Sequence, residues 1–278
     1  MKLKGLMDEA YRGKVRGKKR LDERRGEFLL GFEDLVDRLK ERPKREEVEA
    51  LVPQDVESVR DLIISAFPGG RREEAIWGYL TSIAAERLPS PLVVQPRNYA
   101  GLELRRGKLI LDGGLPASTG VEKSSWRRAH HLGERMSGGR LVVLGGAGDY
   151  LGQEMRGGGI VALSCGDYAF RKMAGGWGVV KGNAGNYLAV GASGGRIAVK
   201  GGAGARAGWL MRSGRIRIGR DVGDYLGLMM SGGEISAGGR AGCRAGWRMK
   251  GGLIVTEGYG PEAGDERVGG RVIRREDL

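Results

Sequence analysis

Asp149 and Asp167 each stand in a Gly-Asp-Tyr triplet, 18 residues apart. If the triplets occupy equivalent places in a repeating backbone, the two carboxylates lie one above the other. Carboxylates that close raise one another's pKa or share a hard cation, which suits acid–base chemistry or a weak cation site. The same triplet also makes an ordinary turn, in which the aspartate bonds nearby backbone. One place further along, Tyr99, His131, Tyr150, Tyr168, Tyr187, Arg206, Tyr225 and Arg244 recur in a single column. Tyr225 would then sit between the guanidiniums of Arg206 and Arg244, a cation–π stack worth about 0.5–2 kcal/mol per contact. An arginine–aromatic surface of this kind holds an anion or a nucleic-acid strand, or else satisfies itself as a structural ladder. Arg196, Arg215 and Arg217 point outward from neighbouring strands and complete the candidate anion- or partner-binding set.

Other chemistries find less support. His130 and His131 are the only histidines, and adjacent residues of an extended segment point oppositely, so they do not share a metal. No Cys-x-x-Cys or His-x-x-x-His spacing occurs, so no zinc site is expected. Gly191-Ala192-Ser193-Gly194-Gly195 spells the serine-hydrolase pattern, but Ser193 shares its repeat position with Ser137 and Ser231. No catalytic residue, metal or cofactor is expected.

The elements that position these columns come from one repeated phrase. Marking each cycle by its Met-like position gives residues 136, 155, 173, 192, 211, 230 and 249, with Ala192 in place of one Met. Steps of 19, with one of 18, define a solenoid. Each cycle carries a short apolar run bracketed by glycines, and one such strand cannot bury a face alone. Parallel coils stacked about 4.8 Å apart can. The fold class expected is therefore mainly β: a single-stranded right-handed parallel β-helix of about 19-residue coils, after an α-helical N-terminal region. Met fills the interior, joined by Leu141, Ile160, Ile197, Ile216, Ile235 and Ile254. The outward column Val142, Val161, Val179, Ala198, Arg217, Ser236, Val255 is apolar in its first coils, which marks a surface that something covers, either the chain's own helices or another subunit. Leu104 to Met136 is one period plus 13, so residues 115 to 128 read as mostly an inserted corner loop.

Gly-Asn-Ala-Gly-Asn-Tyr-Leu (182–188), Gly-Asp-Tyr-Leu-Gly (148–152 and 223–227) and Met-Ser-Gly-Gly (136–139 and 230–233) resemble the GXGXG repeat family. That family includes the C-terminal β-helix of the glutamate synthase large subunit and one of the subunits of formylmethanofuran dehydrogenase. The resemblance covers roughly residues 91–258. It implies a scaffold that packs against catalytic domains and carries none of their flavin, iron–sulfur, molybdopterin or amidotransferase chemistry.

Residues 1–90 read as a basic arm and helices, 91–258 as the β-helix, and 259–278 as a tail that is edge-capping or disordered. Arg12 to Arg25 carries charge without an apolar stripe. Helices are expected over Glu27–Glu41, Arg45–Leu51, from an N-cap at Asp55 through Phe67, and over Arg71–Leu88. They are expected to cover a flank or the open N-terminal end of the solenoid, where strand edges need protection. Net charge is +6 over residues 1–26, −5 over 27–90 and +12 over 91–278, which favours an acidic partner, protein or nucleic acid. Two widely separated cysteines and the lack of an apolar N-terminal core or a long apolar run point to the cytoplasm, with no membrane association. Scarce Asn and Gln with plentiful Arg and Glu give a thermophile-like composition. The favoured expectation is a non-catalytic scaffold subunit of an oxidoreductase or amidotransferase assembly, with a catalytic-subunit partner and homo-oligomers possible. The alternative is a basic nucleic-acid- or anion-binding protein.

Overall fold

The structure, a computed structural model, describes residues 31–113 and 128–278. The basic arm and nearly all of the expected loop insertion lie outside the described residues. The chain forms two compact units, one ending at Ile76 and one running from Trp77 to Leu278.

The first unit holds three helices, α1 (Phe32–Arg38), α2 (Arg45–Leu51) and α3 (Val56–Ser65), and the start of α4 (Arg71–Arg87). Apolar residues at helical spacing turn one face inward, burying Leu35, Val48, Val59, Leu62 and Ile63. Asp55 caps α3 as expected, its carboxylate accepting from the Ser58 N–H at 2.8 Å. Arg72 donates to the carbonyls of Val36, Leu39 and Lys40 and so satisfies the C-terminal end of α1. No helix among the described residues is long and apolar enough to cross a membrane.

The second unit is a parallel β-solenoid. Ten strands form one all-parallel sheet in chain order: β1 (Leu92–Val94), β2 (Lys108–Leu111), β3 (Ser137–Gly146), β4 (Gly157–Ser164), β5 (Trp177–Val180), β6 (Ser193–Val199), β7 (Ser213–Ile218), β8 (Glu234–Ala237), β10 (Leu253–Thr256) and β12 (Arg271–Arg274). The short strands β9 (Arg240–Ala241) and β11 (Gly258–Tyr259) pair separately at another corner. Inward, the column Leu109, Leu141, Ile160, Gly178, Ile197, Ile216 is in register from coil to coil. The Met column is fully buried as expected. Gly178 breaks the inward column, and Phe170 fills the gap: a Cβ on Gly178 would overlap the Phe170 ring.

β2 pairs with β3 in the solenoid register, Leu109 with Leu141, although the sequence between them is longer than one period. At the other end, Arg271–Arg274 pairs with β10 in the same register. The stretch read as a capping or disordered tail therefore carries one more strand of the solenoid. Residues 77–87, placed by sequence with the helical region, pack on the first coil. The Thr81 hydroxyl accepts from the Gly101 N–H at 3.0 Å. The Ser82 hydroxyl donates to the Leu102 carbonyl at 2.8 Å, and the Glu86 carboxylate accepts from the Arg105 N–H at 2.9 Å. These bonds close backbone groups that the open end of the stack would otherwise leave unpaired.

One corner recurs as a left-handed glycine from coil to coil, at Gly139, Gly158, Gly176, Gly195, Gly214, Gly233 and Gly252. At Gly158, φ is +79° and a Cβ would meet the Gly138 carbonyl oxygen, so only glycine lets adjacent coils approach.

Candidate functional site

The tyrosine column is a continuous stack. Ring centroids of Tyr99, His131, Tyr150, Tyr168 and Tyr187 follow one another at 4.7, 4.7, 5.2 and 4.6 Å, within 10° of parallel. Every member of the column from Tyr99 to Arg244 has φ between 58° and 62°. A left-handed non-glycine residue costs about 1–2 kcal/mol, and stacking on both neighbours offsets much of that. Arg206 and Arg244 continue the stack. The Cζ of Arg206 lies 5.3 Å from the Tyr187 centroid and 5.4 Å from that of Tyr225, and the Cζ of Arg244 lies 5.6 Å from Tyr225. Each also donates to the hydroxyl one coil below, Arg206 to Tyr187 and Arg244 to Tyr225, both at 2.7 Å. Arg244 further pairs with Glu262 at 2.7 Å, and these bonds, to Glu262 first and then Tyr225, hold its guanidinium protonated more firmly than usual. Arg206 and Arg244 are therefore engaged within the ladder. Arg248 behaves alike, lying 4.4 Å from the Trp247 centroid and pairing with Glu266 at 2.7 Å.

Asp149 and Asp167 do lie one coil apart, but their carboxylates serve the backbone. Asp149 Oδ1 accepts from the Asp167 N–H at 2.8 Å, and Asp167 Oδ1 accepts from the Asn186 N–H at 2.7 Å. Asn98, His130, Asn186 and Asp224 do the same for the next coil. His130 makes this contact through Nδ1, 3.0 Å from the Asp149 backbone nitrogen. The column is an inter-coil capping ladder. Asp167→Asn, which keeps Oδ1, is expected to leave the unfolding midpoint unchanged, whereas Asp167→Ala should cost about 1 kcal/mol. Equal losses in urea unfolding would show that the charge matters.

At the first coils, His131 Nδ1 lies 2.7 Å from Glu134 Oε2. Arg135 bridges Glu103 at 3.2 Å and donates to the Tyr79 hydroxyl at 3.2 Å. Burial, then the Glu103 carboxylate, push that hydroxyl's pKa up against the Arg135 guanidinium. A histidine with its orienting carboxylate does chemistry beside a nucleophile or a substrate cleft; here Tyr99 and Tyr150 occupy both ring faces. Burial pushes the Cys165 thiol up to about 12, which leaves it inert at neutral pH. No group of three His, Cys, Asp or Glu among the described residues could hold a metal ion.

The remaining candidates, Arg196, Arg215 and Arg217, are exposed on the outward face of β6 and β7. Arg215 pairs with Glu234 at 2.7 Å; Arg196 and Arg217 have no ion pair among the described residues. The same face carries a feature larger than the sequence column suggests. Val93, Leu144 and Leu163 are 45%, 52% and 46% exposed, and Ile110, Val142 and Val161 lie in register among them. Pleat alternation from Val142 and Val161 is the signal that points to the two leucines.

No family model matches the chain, and a search of curated proteins finds no match.

Proposed function

We propose that the chain is a non-catalytic β-helical scaffold subunit that docks a protein partner on the apolar half of its outward sheet face. The observation that supports this is the contiguous cluster Val93, Ile110, Val142, Leu144, Val161 and Leu163, three of its members about half exposed. Apolar patches of this kind on a folded surface mark interaction sites. The titratable side chains of the column sites are spent on backbone capping and stacking, which favours a structural role over a catalytic one. The resemblance to the GXGXG repeats of glutamate synthase and formylmethanofuran dehydrogenase suggests that the partner carries flavin, iron–sulfur, molybdopterin or amidotransfer chemistry.

The test is gentle affinity purification of the tagged chain from its native cells, beside a Leu144→Glu/Leu163→Glu variant, with mass spectrometry. Wild type should bring down a catalytic subunit of that kind and the variant should lose it. Recovery indifferent to the two leucines, or turnover of a substrate by the isolated chain, would sink the reading.

A further inference from the structure

The other half of the outward sheet face goes beyond the scaffold reading. Between Tyr168 and Arg220 the sequence has ten lysines and arginines and no aspartate or glutamate. Nearly three consecutive coils therefore carry positive charge alone. In register, their outward residues form a three-by-three grid: Trp177, Val179 and Lys181 on β5 and its exit; Arg196, Ala198 and Lys200 on β6 and its exit; Arg215, Arg217 and Gly219 on β7 and its exit. Within a row, neighbours are two residues apart, about 6.6 Å, and rows are about 4.8 Å apart.

Three observations indicate what the grid is for. Arg196 stacks directly on Arg215, and Lys181 and Lys200 each follow the paired Val180 and Val199, although like charges facing each other across a sheet destabilise it. Only Arg215 has a carboxylate partner, Glu234 of the following coil; Lys181, Arg196, Lys200 and Arg217 have none among the described residues. Trp177 is a large aromatic ring beside Arg196 in this field. It lies over Gly159, where a Cβ would overlap the indole, and toward Arg140, whose Cζ is 5.4 Å from its ring centroid. The ring stays partly exposed. Cations without a carboxylate partner attract an external anion, and the partly exposed indole among them offers a face to a flat partner. Cations tracking a backbone and an aromatic that stacks a base form the platform of single-strand nucleic-acid binding. An acidic polypeptide would use the cations but gain nothing specific from the indole face.

We propose that the grid formed by Trp177, Lys181, Arg196, Lys200, Arg215 and Arg217 binds single-stranded nucleic acid, with phosphates on the cations and a base on Trp177. The test is fluorescence anisotropy of the full chain with labelled oligo-U and oligo-dT of about 20 nucleotides, longer than one single-strand site. It is titrated across salt, with polyglutamate as competitor. Removing three cations in Lys200→Gln/Arg196→Gln/Arg217→Gln should weaken binding at least tenfold and flatten the slope of log K against log salt by about 2. Trp177→Ala should weaken binding about 5- to 100-fold with the salt slope unchanged, and Trp177→Phe should largely restore it. A control with the same charge change in the last coil, Arg267→Gln/Arg271→Gln/Arg274→Gln, should retain affinity. Thermal midpoints within about 2 °C of wild type would establish that the variants are folded. No binding at low salt would overturn the proposal. So would equal losses in the control, or polyglutamate displacing the oligonucleotide with no dependence on Trp177, which would make this a surface for an acidic protein.

Discussion

Gly178→Ile is expected to cost about 3 kcal/mol or more alone, and to be tolerated once Phe170 is also replaced by glycine. In neighbouring coils the inward strand position is Ile160 or Ile197, and the left-handed corner position is a small residue, Gly152 or Ala189. This coil exchanges the two. Phe170 takes the left-handed corner at φ +57° and is completely buried, while Gly178 leaves room for its ring. An isoleucine at 178 overpacks a filled site. Phe170→Gly alone empties it, at about 3–5 kcal/mol less the roughly 1 kcal/mol regained by relieving a left-handed non-glycine residue. Together the substitutions recreate the pattern of the adjacent coils, so the double variant should lie within about 1 kcal/mol of wild type. That implies a coupling energy of about 4 kcal/mol or more, above the usual range for residues in contact. Thermal or urea unfolding of the four proteins measures it directly. Additive losses would mean that Phe170 and Gly178 do not share one volume.

Gly78→Ala should weaken the fold although it improves the helix. Alanine in a helix interior gains about 1 kcal/mol over glycine. Here a Cβ would overlap the carbonyl of Tyr99, which is buried backbone and cannot yield as a side-chain tip would. The α4 segment must shift off the first coil, and the bonds from Thr81, Ser82 and Glu86 to that coil go with it. A net loss of about 2–3 kcal/mol is expected, with concentration-dependent association as the freed edge seeks partners. Unfolding combined with light scattering on a size-exclusion column reads both. A variant that is more stable and stays monodisperse would show that the helix is not the solenoid's end cap.

The period makes the solenoid legible. Because coils stack in register, counting 19 residues locates the Met column, the inward Leu/Ile column and the outward column without knowledge of any contact. Counting does not reveal what each side chain does with its polar atoms. Arg206 and Arg244 stand where the sequence puts them, yet their guanidiniums are spent on Tyr187 and Tyr225 hydroxyls, a matter of reach rather than spacing. Asp149 and Asp167 stack as expected, yet each carboxylate faces the next coil's N–H. The strand Arg271–Arg274 escapes the period because Met gives way to charge, although Gly269-Gly270 still announces it. The acid-free stretch from Tyr168 to Arg220 and the place of Trp177 beside Arg196 are both readable in the sequence. Summing charge over whole segments hides such a local excess.

Ten strands stacked in chain order also make the second unit a ruler. Nine intervals of about 4.8 Å set roughly 43 Å between the first and last strand. That length can change only in whole-coil steps, because a fractional step would turn inward residues outward. The apolar and cationic halves are thus held a fixed number of coils apart, and two ligands bound to them would be spaced by chain length alone.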